Sequence, residues 1–393
     1  MSSTDLEPLE LASGLVMGLV PELVPVGSGV EPSPRAALER AVLRGLARPP
    51  CVVSFSGGRD SSAVLALAAS VARREGLPLP IPATNRFPSV ESTDESEWQE
   101  RVVAHLGLED WVRLEHEDEL DCVGPVAQRV LERHGLLWPF NTHFHVPLLE
   151  LARGGSLLTG IGGDELLEVS SWTRVADVLR GRVRPEPRDL LRVGFVLAPA
   201  PVRAIALRRR LPDPFPWLRP EAWSEFVERS AARAATEPLR WRPHVRWVRR
   251  FRYLHVGQAS LRKVAAAEDV QIVHPFLDLE FAGALAQLPP PSRYGSRTDA
   301  MRTFFSDLLP DEVLARQSKT FFDAAFWAEP SRRFAAEWDG RGVDTSLVDV
   351  EALADVWRSE APEPRSFLLA QAAWLAGRAR SADRVEQAVD GVR

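Results

Sequence analysis

The sequence predicts an α/β protein, with a parallel-sheet core followed by a mainly helical carboxy-terminal region. Two observations predict it. Short β-branched apolar runs alternate with helically spaced apolar stretches between about residues 35 and 170, and beyond 170 strand signals thin out while Arg, Ala, Leu and Trp dominate. Strands that alternate with helices need right-handed crossovers, and these lay the strands parallel.

Taken in order, residues 1–34 end in the turn-rich "VPVGSGVEPSP" and read as an amino-terminal segment and linker. "RAALERAVLRGLA" spaces its apolar residues as a helix and "RPP" stops it. "CVVSFS" is a short strand, and "SSAVLALAASVARREG" a helix closed by Gly76. A second strand is expected near "LPIPATN", a helix over "DESEWQERVVAHLG" and a third strand at "WVRLEH". A helix around 145–153 precedes "GSLLTGIGGDE", a strand that runs into a glycine turn. Residues 35–170 thus form the α/β core and 171–393 the helical region.

Composition narrows the function classes. The net charge is −6, so no global basic field recruits nucleic acid or an acidic membrane. No apolar run is long enough to span a bilayer, and acids stand where a signal peptide needs basic residues. The only cysteines, Cys51 and Cys122, make no disulfide framework, which fits a reducing cytoplasm. Of 48 basic residues only Lys263 and Lys319 are lysines. An ammonium is a point charge on a flexible stem, which a planar guanidinium does not replace.

"SFSGGRDSS", residues 54–62, follows the first strand. Gly57 and Gly58 let the backbone approach a ligand, and the following helix adds the positive end of its dipole. Ser56, Ser61 and Ser62 offer hydroxyl donors. A tight strand-to-helix turn with a serine cap is the structural alternative. Neither the Walker nor the dinucleotide glycine spacing is present. The stretch resembles the SGGxDS pyrophosphate loop of the ATP pyrophosphatase superfamily. That resemblance implies an adenine nucleotide α-hydrolase-like core that cleaves ATP between the α and β phosphates, with Ser54, Ser56, Gly57, Gly58, Asp60, Ser61 and Ser62 around the leaving pyrophosphate.

Three later blocks resemble the asparagine synthetase-like synthetase domain. "LLTGIGGDELLE" (157–168) is similar to its GxGxDE block, "VHPFLDLEF" (273–281) to its VPFLD segment, and "LLPDEVLARQSKTFF" (308–322) to its LPxxxxxRxK block, with one extra residue between Arg316 and Lys319. The resemblance covers roughly residues 35–330. It implies that Gly160 and Gly162 help bind the nucleotide, that Asp60 and Asp164 hold Mg²⁺, and that Lys319 acts on an adenylated intermediate. Hard carboxylate oxygens suit Mg²⁺, which shares its ligands with phosphates. A helix cap with an acid in its first turn is the structural alternative for Asp164-Glu165.

The chain also departs from that pattern. Ser2 stands where the glutamine-dependent enzymes carry a nucleophilic cysteine, so nitrogen is expected as ammonia, from a partner amidotransferase or as an amine on the acceptor. Ile161 and Gln271 replace residues expected to recognise aspartate, and Val273 replaces a second charged residue before the PFLD segment. These substitutions favour a macrolactam-forming relative, similar to lasso-peptide cyclases or β-lactam synthetase, acting on a small-molecule or peptide carboxylate and amine. An ammonia-dependent asparagine synthetase, an RNA-adenylating relative and a non-catalytic peptide-binding partner protein are the competing readings. The −6 charge and two cysteines speak against the RNA enzyme.

Two other signals are set against plainer ones. His143 and His145 would face one way on a strand, but no further ligand is near, and Asn141 or Thr142 capping a helix is the alternative. "LRWRPHVRWVRRFRYLH" (239–255) interleaves Arg with aromatics, as a nucleic-acid surface or as a helix with an aromatic core face and an arginine face. Tyr253 and Tyr294 are the only tyrosines, and their spacing makes neither a base.

Overall fold

The computed structural model describes residues 5–21, 33–168, 172–208, 215–288, 296–318, 320 and 322–390. Five parallel strands form one sheet: β1 (Cys51–Ser54), β2 (Ile81–Arg86), β3 (Val112–Glu115), β4 (Ser156–Leu158) and β5 (Gln271–Val273). Their spatial order is β3-β2-β1-β4-β5, so the winding reverses between β1 and β4. Helices follow, as expected, and they dominate beyond residue 170.

Period-two alternation of side chains covers both faces of the sheet. Val52 and Leu157 point to one face, with Leu148, Leu149, Leu261 and Val264, while Val53 and Leu158 point to the other, with Leu38, Val64, Leu67 and Phe281. All four strand residues are fully buried, and burial stabilises each by roughly 1.5–3 kcal/mol. Val53 lies opposite Leu158, so the chain leaves β1 and β4 side by side at the same edge. That edge, at the reversal of winding, is where such sheets form a crevice.

The local signals explain the helices of the core. Ser33 caps Pro34–Leu46 by accepting from the Ala36 amide, with Pro34 pre-set at the first helical position. Gly76 closes Arg59–Glu75 in the left-handed conformation, φ 66°. The Arg59–Glu75 helix begins two residues earlier than the serine pair suggested, which puts Asp60 in its first turn. Asn141 and Thr142 cap nothing: residues Phe140–His145 form a 3₁₀ turn, and Thr142 donates to the Pro139 carbonyl at 2.7 Å. Residues 239–255 make two helices, Trp241–Arg249 and Arg252–Ala265, with Trp241, Val245 and Val248 buried. β5, three residues long, carried too little pattern to stand out in the sequence.

The carboxy-terminal helices build their own core around Trp217, Phe226, Trp327, Trp357 and Phe367. A short helix, Pro8–Ser13, inserts Leu9 and Ala12 into it, and the Trp217 indole donates to the Ala12 carbonyl at 2.8 Å. Glu10 pairs with Arg252. Among the described residues no helix is long and apolar enough to cross a membrane.

Candidate active site

Both glycine turns open at the β1–β4 edge. After β1, Gly57 takes φ 83°, and a Cβ there would lie 2.9 Å from Gln99 Cγ, so only glycine passes. Gly58 precedes the helix without any side-chain cap, leaving the first N–H groups of Arg59–Glu75 for an acceptor in the crevice. Ser56 and Ser61 brace the turn. Their hydroxyls lie 3.0 Å apart, Ser61 Oγ donates to the Gly58 carbonyl at 3.1 Å, and the Gly58 amide donates to Ser56 Oγ at 3.3 Å. Ser56 is exposed, whereas Ser62 is fully buried with its hydroxyl unpartnered. Ser54 ends β1 and lines a neighbouring cavity.

After β4, each glycine answers a different contact. A Cβ on Gly160 would meet the Ser61 amide nitrogen at 2.9 Å, so this turn packs directly on the start of the first helix. Gly162 sits at φ 97°, against Leu277 of the PFLD segment. Gly163 faces Asp60: a Cβ there would be 2.4 Å from the Asp60 carboxyl carbon. The sequence comparison did not single out Gly163.

Asp60 and Asp164 meet at one guanidinium. Arg297, first residue of the helix Arg297–Phe305, donates through Nη2 to Asp60 Oδ2 at 2.5 Å and pairs through Nη1 with Asp164 Oδ1. Arg59 reaches across to the same helix and donates to Thr298 Oγ1 at 3.3 Å. Burial pushes the Asp60 carboxyl above its ordinary range, and the Arg297 charge opposes that push. The second oxygen, Oδ1, is buried without a hydrogen-bond partner. An unpaired buried carboxylate oxygen, with a second carboxylate on the same guanidinium, fits a hard divalent cation. Among the described residues no three His, Cys, Asp or Glu groups gather as a metal cluster. Two carboxylates with phosphate and water completing the shell is the way Mg²⁺ is commonly held.

Glu165 has a different partner. It accepts a hydrogen bond from the Tyr253 hydroxyl at 3.2 Å, and burial raises its carboxyl above the usual range. Burial, with Glu165 beside it, likewise pushes up the Tyr253 phenol. Spacing alone had given no reason to pair these two residues, 88 positions apart.

A third layer comes from the LPxxxxxRxK block. Arg316 is almost wholly buried, pairs with Glu95, donates to the Gly57 carbonyl at 3.0 Å and lies 4.9 Å over the Trp98 ring. It therefore holds the outer side of the first turn. Gln99 adds a bond to the Ser56 carbonyl at 3.1 Å. Lys319 lies outside the described residues, as do Ser2 and Tyr294. Its neighbours are both tied to this layer: Arg316 donates to Ser318 Oγ at 2.8 Å, and Thr320 Oγ1 donates to Glu95.

Two adjoining cavities, about 150 and 250 Å³, open beside the first turn and share Asn85 and Gln99. The first is lined by Ala83, Thr84, Phe144, Phe322 and Phe326; the second is polar, with Arg86, Glu91 and Asp94. Of the remaining sequence signals, Ile161 is 39% exposed in the second turn. Gln271 opens β5 opposite Ser156, at the end of the strands away from both turns, so its neutrality says little about what the site recognises. His143 is buried and both of its ring nitrogens face backbone carbonyls, of Phe140 and Leu120, as in a core histidine.

With this geometry in hand, the family match is decisive: the model for asparagine synthase fits residues 34–377. The chain belongs to the asparagine synthase family. A search of curated proteins finds no match. Membership makes the chain an ATP-dependent synthetase that forms amide bonds. The matched span takes in both glycine turns, the PFLD segment, Arg297 and the Arg316 layer.

Proposed function

We propose that the chain activates a carboxylate by adenylation and passes the acyl group to an amine. A carboxylate oxygen attacks the α-phosphorus of ATP, and the Pα–O bond to the β-phosphate breaks with its electron pair leaving on pyrophosphate. The amine nitrogen then attacks the acyl carbon, the C–O bond to AMP breaks, and a proton leaves the nitrogen. The mixed anhydride splits one hard acyl transfer into two easier steps.

One observation carries this reading: an uncapped helix start and two carboxylates converge where β1 and β4 part. The free N–H groups after Gly58 would take the departing diphosphate, donating hydrogen bonds where negative charge grows. The cavity lined by Ala83, Thr84, Phe144, Phe322 and Phe326 would take the adenosine. Asp60 and Asp164 would hold Mg²⁺, which when bound offsets charge on the α and β phosphates. Lys319 would neutralise charge on the α-phosphate or the tetrahedral centre, a task its flexible ammonium suits. Glu165, whose carboxyl burial raises above the usual carboxylate range, would accept the amine proton.

The apolar, exposed Ile161 in the second turn favours a substrate without a charged group at that point. Ring closure within one peptide meets that condition, since acid and amine belong to the same molecule. Aspartate with ammonia does not. The test is product analysis: the chain is incubated with ATP, Mg²⁺ and either aspartate plus ammonia or candidate peptides. AMP and pyrophosphate are expected, with peptides preferred. ADP and phosphate as sole products would end the adenylation reading, and turnover with aspartate alone would end the macrolactam one.

A further inference from the structure

At the site one arginine joins the two carboxylates. Arg297 is only 15% exposed and its guanidinium uses both terminal nitrogens, one on Asp60 and one on Asp164. A guanidinium forks in a plane and matches two acceptors at once, which an ammonium does not. It is also anchored: Ser296 caps its helix by accepting from the Asp299 amide, and Arg59 ties to the adjacent Thr298. Arg59 adds a second positive charge nearby, so the pair of carboxylates is neutralised, while Asp60 Oδ1 keeps no hydrogen-bond partner.

A divalent cation brings two charges, and coordinates carboxylate oxygens at about 2.0–2.1 Å in the case of Mg²⁺. A cation on Asp60 Oδ1 would stand beside the guanidinium held on Oδ2, and two positive charges that close in a partly buried site repel one another, so guanidinium and cation exclude each other from the pair. Resting on the reading of Asp60 and Asp164 as cation ligands, we infer that Arg297 competes with the cation for this pair, keeps it closed to free metal, and yields it when nucleotide phosphates arrive to accept the guanidinium. The polyphosphate is the only incoming group with enough negative charge to draw the arginine off. Cation and nucleotide therefore enter together, and the carboxylates stay neutralised when neither is bound. Arg297 is a gating and positioning residue in this scheme, and it takes no part in bond making.

The consequence is a pair of effects of opposite sign. In Arg297→Met, binding of Mn²⁺ without nucleotide, followed by electron paramagnetic resonance, should tighten at least tenfold over the unaltered chain. Binding of α,β-methylene-ATP with Mn²⁺, followed by calorimetry, should weaken at least tenfold. Arg297→Lys keeps the charge but holds one carboxylate at a time, so it should fall between, and it serves if the methionine variant misfolds. A merely structural arginine would weaken both bindings together or neither, and unchanged nucleotide-free Mn²⁺ affinity in both variants would overturn the inference. Asp60→Asn separates this failure from that of the underlying reading. If Asp60→Asn leaves nucleotide-dependent Mn²⁺ binding intact, the carboxylates are not the cation ligands. If it abolishes that binding while the arginine variants change nothing, only the gate is wrong.

Discussion

Adding one methyl group at Gly163 should disable nucleotide binding while leaving the fold in place. In Gly163→Ala the new carbon would lie 2.4 Å from Asp60 Cγ, 2.5 Å from Oδ1 and 2.9 Å from Oδ2. Carbon atoms in contact sit about 3.5–4.0 Å apart, so the carboxyl must retreat by about 1 Å or more. The retreat breaks the register of Asp60 with Arg297 and displaces the unpaired Oδ1. Displacements of about 1 Å at a reacting centre cost on the order of 10²-fold. The local overpacking should cost about 1–3 kcal/mol of stability, which the large core tolerates. Calorimetry with α,β-methylene-ATP and Mg²⁺ should find affinity lowered about 10- to 100-fold, or about 1.4–2.7 kcal/mol. Circular dichroism should be unchanged. Affinity within twofold of the unaltered chain would refute the idea that Asp60 must stand where it does.

Four further outcomes follow from the same geometry. Arg316→Ala leaves buried Glu95, whose side chain is 3% exposed, with the Thr320 hydroxyl but without its counter-charge, and should cost about 3–5 kcal/mol in urea unfolding as well as loosening the first turn. Lys319→Arg keeps the charge but should lose turnover while nucleotide binding stays within a few-fold; full activity would remove the case for a point charge there. Glu165→Gln should slow aminolysis and leave ATP binding intact, as read by accumulation of AMP-linked intermediate in quenched reactions. Burial holds His145 at about 4 and His274 at about 3, against 6.5 for the free side chain. Their neutral forms stabilise fully above pH 6.5, and this stability is lost as the pH falls toward 4 for His145 and toward 3 for His274. At pH 5 each accounts for about 2 kcal/mol of that loss, so His145→Gln should shrink the pH 7 to pH 5 drop in unfolding free energy by about 2 kcal/mol.

The sheet and both glycine turns were legible because they rest on local rules. Val52-Val53 and Leu157-Leu158 are apolar on both faces, and Gly57 and Gly162 stand where φ is positive. Asp60 and Asp164 stood out only through the family resemblance of these turns, not through their local spacing. β5 escaped because three residues between helices hold no period, yet it carries the PFLD segment to the site. Arg297 was invisible for a different reason: in a chain with so many arginines, one at a helix start has no mark of its own. Glu165 with Tyr253, and Glu95 with Arg316, are tertiary pairs that only the folded chain brings together. Gln271 shows the converse error, a residue chosen by motif position that the strand register carries away from the crevice.

The most direct test of the central claim is a crystal of the chain grown with α,β-methylene-ATP and Mg²⁺. The account predicts the β and γ phosphates against the amides of residues 57–62, the cation between Asp60 and Asp164, and the Arg297 guanidinium moved onto phosphate oxygens. Phosphates bound elsewhere, with the Asp60–Arg297–Asp164 bridge intact, would contradict it.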